Sequence, residues 1–183
     1  MQITKLALDD VLLITPKRFY DTRGFFIELH NKKKLKEVGM EDDFVQDNFS
    51  LSTKAGTLRG LHFQVPPFSQ AKLVRVSRGR ILDVAVDIRA SSPTFGKHVS
   101  CEISAENGHQ LYIPHGFAHG FCTLEPETEV VYKVSNYYAP QAEGGILWSD
   151  PSLNIDWPIS EDAAIVSEKD AVLPLLTDFA PVF

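Results

Sequence analysis

Apolar and polar residues alternate most regularly between residues 72 and 89. Leu82, Val84, Val86 and Ile88 interleave with Asp83, Ala85, Asp87 and Arg89, the period-two pattern of a strand with two unlike faces. Residues 72–77 and 81–89 flank Arg78-Gly79-Arg80, which predicts a β-hairpin with a three-residue loop centred on glycine. Further short strands are predicted at residues 11–14, 44–50, 58–64, 96–104, 110–113, 117–123 and 129–135. Glu106-Asn107-Gly108 and Pro114-His115-Gly116 supply turns between them. Residues 19–28 are expected to begin as a turn, at Asp21 and Gly24, and to become a strand. Residues 31–39 suit one short helix, with Asn31 at the N-cap, Gly39 at C′, and Leu35 and Val38 packing. The tail, residues 160–176, suggests one or two helical turns stopped by Pro174.

Many short strands with few helices make the chain mainly β, an antiparallel sandwich or barrel of jelly-roll type. No internal repeat, low-complexity segment or linker divides the 183 residues, so residues 1–183 read as one domain. In the strand at 44–50, Gln46, Asn48 and Ser50 share one face. Such a polar face marks either a solvated surface or a barrel lumen that holds a polar ligand.

Hydrophobic residues at 44% and charged residues at 23% are ordinary for a globular protein. A net charge of −6 argues against a broad surface for nucleic acid or anionic membrane. It leaves room for an arginine pocket that holds one phosphorylated small molecule. Cys101 and Cys122 are too few for a disulfide framework and match no zinc spacing, so both read as small buried hydrophobes. Asp9 and Asp10 interrupt the apolar N-terminal stretch, which argues against a signal peptide. No apolar run approaches the ~20 residues of a membrane span. The expected location is cytoplasmic.

The candidate chemistry centres on Leu58-Arg59-Gly60-Leu61-His62-Phe63-Gln64. A lone histidine on a strand is ordinarily a core or surface residue, and His62 stands out through its companions. Gly108 is followed six residues on by Pro114-His115-Gly116 and three beyond that by His119, which resembles the second motif of the cupin barrels. Metal-binding cupins carry a first motif with two His one residue apart, a Glu shortly after, and a Gly seven beyond it. Here Gly56 precedes His62 at the expected distance, but Gln64 replaces the second His and Lys72, seven before Gly79, replaces the Glu. An ammonium has the wrong charge for a divalent cation and no lone pair while protonated. His62 and His119 alone are too few for a protein metal site. The chain therefore resembles a cupin barrel without a metal.

A base (His62), a cation (Lys72), a second imidazole (His119) and polar lining from Gln46 and Asn48 remain, with Tyr132 and Tyr138 on one strand parity. A base, an acid and a fixed positive charge suit proton abstraction beside a carbonyl, with Lys72 stabilising the enolate.

Several motifs together resemble the dTDP-4-dehydrorhamnose 3,5-epimerases. They are Asp21-x-Arg23-Gly24-Phe25, Gln46-Asp47-Asn48, the Leu58 to Gln64 strand, and Ile113-Pro114-x-Gly116-Phe117-Ala118-His119-Gly120-Phe121. Tyr132-Lys133, Asn136-Tyr137-Tyr138 and Glu143-Gly144 before Trp148 follow in the family's order. The resemblance implies a cupin-type jelly roll that acts as a homodimer with no metal or organic cofactor. Its substrate is dTDP-4-dehydro-6-deoxy-D-glucose, epimerised at C3 and C5 to dTDP-4-dehydro-L-rhamnose on the way to activated L-rhamnose. The C4 ketone acidifies the protons on both neighbouring carbons, so one pocket can serve both centres.

By the same resemblance His62 is the proton acceptor, Asp170 its orienting carboxylate, Tyr132 the acid on the opposite face, and Lys72 the neighbour of the enolate oxygen. Arg23, Glu28, Gln46, Asp47, Asn48, Arg59, His119, Glu143 and Lys169 line the substrate site, and Tyr138 stacks on the thymine ring. Tyr137 is the structural member of that tyrosine pair. On spacing alone Ser167-Glu168-Lys169-Asp170 reads as a helix capping box, so the link from Asp170 to His62 rests on the resemblance. Strict alternation puts Arg59 and His62 on opposite faces of one strand. Either Gly60 marks a bulge or the diphosphate lies around the barrel rim, and the bland alternative for Arg59 is a surface ion pair. The rival activities are a relative that inverts only C3 or only C5, a metal-dependent cupin oxygenase or isomerase, and a non-catalytic sugar-binding cupin.

Overall fold

The computed structural model describes residues 1–178 and 183. In chain order the strands are β1 (Gln2–Lys5), β2 (Leu12–Thr15), β3 (Arg18–Asp21), β4 (Gly24–Ile27), β5 (Gln46–Ser52), β6 (Leu58–Gln64), β7 (Lys72–Arg78), β8 (Arg80–Asp87), β9 (His98–Ser104), β10 (Gln110–Ile113), β11 (Phe117–Thr123), β12 (Thr128–Val134) and β13 (Glu143–Gly145). The helix α1 (Lys32–Lys36) lies between β4 and β5. One antiparallel sheet is ordered β1-β2-β10-β7-β12-β5 and the other β13-β6-β11-β8-β9, while β3 and β4 form a separate hairpin. From β5 to β8 and from β9 to β12 each strand passes to the sheet opposite its predecessor. This is the expected cupin-type jelly roll.

The same rule overturns the predicted hairpin. β7 pairs with β10 and β12, whereas β8 pairs with β11 and β9. Gly79 is the corner between the two sheets. Its φ of +79° suits glycine, and a Cβ there would come within 2.3 Å of Thr128 Oγ1. A short glycine link reads alike whether its strands pair or cross to the facing sheet.

β8 is buried on both faces, which explains its alternation. Ile81 and Ala85 pack between the sheets with Val74, Leu111, Phe121 and Val130. Val84, Val86 and Ile88 point outward beneath a cover formed by Ile146, Trp148, Leu153, Trp157 and Leu176. The cover is held by its own bonds, among them Trp157 Nε1 donating to the Trp148 carbonyl at 2.9 Å. Asp83 and Asp87, on the inward parity, are both fully buried.

Over the outer face of the first sheet, Leu35 of α1 and Met40 join Leu12, Ile14, Leu73 and Tyr112. Asn31 caps the helix by accepting from Lys34 N–H. Gly39 N–H donates to Lys36 O and Met40 N–H to Leu35 O, a Schellman ending with Gly39 at C′ as expected. Val38, expected to pack, is exposed, because Met40 takes that place over the sheet. Residues 18–21 already form a strand, and the expected turn lies between Asp21 and Gly24. The turn falls at Thr22-Arg23, where Asp21 Oδ1 accepts the Arg23 N–H at 2.8 Å. In the tail, Glu161–Ala163 and Asp170–Val172 are single 3₁₀ turns ahead of Pro174. No helix among the described residues is long and apolar enough to cross a membrane.

Candidate active site

Gly60 decides where the site lies. β6 and β11 pair with His62 opposite His119, but two positions further along Arg59 lies opposite Phe121, so Gly60 and Leu61 together face Gly120. This is the bulge that the parity conflict called for. Gly60 has φ +123°, and a Cβ there would come within 2.6 Å of Gly120 Cα and 2.7 Å of the His119 carbonyl. No side chain fits. The extra residue turns Arg59 and His62 toward one cavity of about 490 Å³. A second lobe of about 290 Å³ adjoins it and shares His62, Lys72 and Tyr132.

The bulge also positions a carboxylate. Gly60 N–H donates to Asp170 Oδ2 at 3.2 Å, and His62 Nε2 lies 2.7 Å from Asp170 Oδ1. Ser167 Oγ accepts the Asp170 N–H at 3.1 Å, one half of the expected capping box; the other half is not made, because the carboxylate turns to His62 and Gly60. Burial by itself would raise the Asp170 pKa, but the His62 bond, with help from Gly60 and Ser167, holds it below the ordinary carboxylate value. A carboxylate only accepts, so it fixes the proton of neutral His62 on Nε2 and leaves the Nδ1 lone pair unpartnered among the described residues.

Lys72 enters from β7 in the facing sheet. It is 8% exposed, and its Nζ donates to the His62 carbonyl at 3.2 Å. Burial pulls its pKa from 10.5 to about 8, opposed by the charges of Asp83 and Glu143. Tyr132 of β12 lines both lobes, and burial raises its phenol above the ordinary value, with Arg59 opposing and Glu143 reinforcing. His62 and Tyr132 thus approach from opposite sheets.

Other expected residues complete the walls. Arg59, His119 and Lys169 line the larger lobe; Gln46, Asn48, Tyr138 and Glu143 line the smaller one. Glu143 pairs with Lys169 at 2.6 Å and accepts from Tyr138 Oη at 3.0 Å. Gln46 donates to Asn48 Oδ1 at 2.8 Å and accepts the Tyr138 N–H at 3.1 Å. The polar face of β5 is therefore lumenal, and Phe49 and Leu51 on its other parity are exposed. Tyr137 lines neither lobe and is exposed.

Three expected residues are not brought to the cavity within this chain. Arg23, at the hairpin tip, pairs with Asp21 at 2.6 Å in the open. Glu28 pairs with Lys34 at 2.6 Å beside α1. Asp47 points to the outer face of the sheet, where it pairs with Lys133 at 2.7 Å, because its strand parity is opposite to that of Gln46 and Asn48.

Two further features were missed. His119 Nε2 lies 2.7 Å from Asp83 Oδ1, so the second imidazole also has a carboxylate behind it. The available signal is an acid, Asp83, on the parity opposite the apolar Leu82, Val84, Val86 and Ile88. Gln64, in place of a metal-ligating His, is a bracket: its Nε2 donates to the Phe68 and Tyr137 carbonyls at 2.7 and 3.2 Å, and its Oε1 accepts the Ala139 N–H at 2.9 Å. Among the described residues no group of three or more His, Cys, Asp or Glu side chains is arranged to hold a metal ion.

The sequence pattern of a family described as dTDP-4-dehydrorhamnose 3,5-epimerase matches residues 5–178. A relative from Shigella flexneri that bears the same name is 56% identical over 171 residues, 93% of each chain. A solved epimerase of that name from Bacillus anthracis, with TDP and pyrophosphate bound, is 49% identical with a TM-score of 0.92, over 95% of this chain and 98% of its own. The dTDP-6-deoxy-D-glucose-3,5-epimerase of Legionella pneumophila, in complex with dTDP-4-keto-L-rhamnose, is 47% identical with a TM-score of 0.91, over 96% of this chain and 93% of its own. The chain belongs to the dTDP-4-dehydrorhamnose 3,5-epimerase family.

Proposed function

We propose that this protein epimerises dTDP-4-dehydro-6-deoxy-D-glucose at C3 and C5 to dTDP-4-dehydro-L-rhamnose. One observation carries the reading: an imidazole backed by a carboxylate and a half-buried phenol enter one cavity from opposite sheets, together with a buried ammonium. His62 Nδ1 takes the proton from a carbon beside the C4 ketone. The electron pair moves to the C4 oxygen, where the Lys72 ammonium stabilises the enolate. Tyr132 then returns a proton from the other wall, which inverts the centre. A positioned base contributes roughly 10²–10⁴-fold, and one preorganised oxyanion partner about 10²–10³-fold. Arg59 and Lys169 offer positive charge to the diphosphate, and Tyr138, at the open end, offers a ring to the thymine.

We also propose a homodimer. Phe19, Tyr20, Phe25 and Phe26 of the β3–β4 hairpin and Phe49 and Leu51 of the edge strand β5 are exposed, which leaves apolar surface for a second copy to cover. In that assembly Arg23 and Glu28, which stand away from their own cavity, serve the partner's. Two free cysteines suit a reducing, cytoplasmic setting.

The reading is tested by incubating the protein with the substrate in deuterated water and following C3 and C5 by NMR. Deuterium at both carbons, with inversion, is expected. Deuterium at neither overturns the epimerase reading, and deuterium at one carbon alone identifies a single-centre enzyme.

A further inference from the structure

Asp83 is fully buried at the floor of the barrel, beneath the cavity rather than on its wall. Its Oδ1 lies 2.7 Å from His119 Nε2, and its Oδ2 has no hydrogen-bond partner among the described residues. Burying a carboxylate in this way is costly, and the sheet offers it little in return. Its neighbours are Cys101, opposite it on β9, His119 on β11, and Lys72, whose charge it attracts from across the barrel. A carboxylate retained at such a place has its effect on the groups above it.

We propose that Asp83 is a positioning residue for the epimerisation: it holds His119 as the Nε2–H tautomer and stands as the counter-charge behind the Lys72 ammonium. The inference rests on the function proposed above. Its first half follows from hydrogen-bond chemistry. The carboxylate has only lone pairs to offer, so the proton between them belongs to Nε2. Burial first, and the charges of Lys72 and His62 after it, lower the His119 pKa against the pull of Asp83, which keeps the ring neutral. Nδ1, with no partner among the described residues, is then a bare acceptor at the cavity. His119 receives a hydrogen bond from a substrate hydroxyl and does not donate one.

The second half follows from what faces Lys72. His62 on β6, His119 on β11 and Tyr132 on β12 line the same cavity, and none of them in its neutral form offers a compensating negative charge. The anions that favour the ammonium are Asp83 on β8 and Glu143 on β13. Glu143 is already paired with Lys169 and Tyr138. Asp83, with one oxygen free of hydrogen bonds among the described residues, is the anion left to favour that ammonium.

The test begins with the wild-type protein, so a variant that fails to fold provides no escape. Nitrogen-15 NMR of His119 should show a neutral ring protonated on Nε2 from pH 6 to 8. A ring protonated on Nδ1, or an imidazolium, overturns the proposal, and this readout needs no substrate. Asp83→Asn, which keeps the shape and removes the charge, should then release the tautomer preference and move the alkaline limb of kcat about one unit toward lower pH. An unchanged limb or an unchanged tautomer in that variant overturns the proposal, because filling space alone moves neither. Failure of the proposed function has a different signature, namely no solvent exchange by the wild-type protein.

Discussion

His62 and His119 lie directly opposite each other on β6 and β11, and each ring has its own carboxylate 2.7 Å behind it. The two pairs differ in exposure. The His62 side chain is 31% exposed and reaches into the cavity, whereas His119 is 6% exposed at its floor. That difference fits the roles proposed for the two rings, proton transfer at His62 and substrate orientation at His119.

Asp170→Asn keeps the shape of the dyad but frees the His62 tautomer. Turnover should fall by about 10²–10⁴-fold, the contribution of a positioned base, with KM little changed. Steady-state kinetics checks this, and a loss confined to KM would assign Asp170 to binding instead.

Gly60→Ala should disable both catalysis and folding. The new Cβ would meet backbone on β11, at a φ that L-residues rarely adopt. A loss of roughly 1–3 kcal/mol from the backbone alone is expected, with exchange falling as the Asp170 contact shifts. Chemical denaturation measures the first part. Wild-type stability in this variant would mean that the bulge is not needed.

Lys72 links function to pH. Turnover should fall as pH rises through about 8, where the ammonium loses its proton. The unfolded chain keeps that proton up to the ordinary value of 10.5, so the buried charge destabilises the fold below about pH 8 and this cost is relieved as pH rises toward 10.5. Lys72→Met should therefore raise stability at pH 7 by up to ~3 kcal/mol while abolishing exchange. A lower melting temperature for this variant would contradict the argument.

Phe49→Glu places a charge on the exposed face of the edge strand. Sedimentation should find the wild type dimeric and the variant monomeric. The variant's KM should rise about tenfold or more, a change of 1.4 kcal/mol per decade, as Arg23 and Glu28 lose the partner's cavity. A monomeric wild type rules out the dimer.

The strand from Leu58 to Gln64 was legible because two residues on it disagreed: Arg59 and His62 could serve one substrate only through an irregularity, and glycine stood between them. The polar parity of β5 was visible but ambiguous, since period two is the same whether a face meets water or a lumen. The link at Gly79 has the pattern of a hairpin, because local sequence does not record which sheet receives the next strand. The Asp170 contact spans 108 residues and leaves no local trace beyond its cap. Asp83 is hard to read from the sequence because an acid on an alternating strand ordinarily faces solvent, and only the covering layer of Trp148 and Trp157 reverses that rule. Arg23 and Glu28 do not line the cavity of their own chain, a placement that strand parity has no means of predicting.

The central claim is that protons leave and return from opposite walls, through His62 and Tyr132. The most direct measurement follows Tyr132→Phe in deuterated water, with exchange and configuration read at C5 by NMR. The account predicts that deuterium continues to enter while inversion at C5 is largely lost, because His62 can only return a proton to the face it came from. Inversion at C5 at the wild-type rate would contradict it.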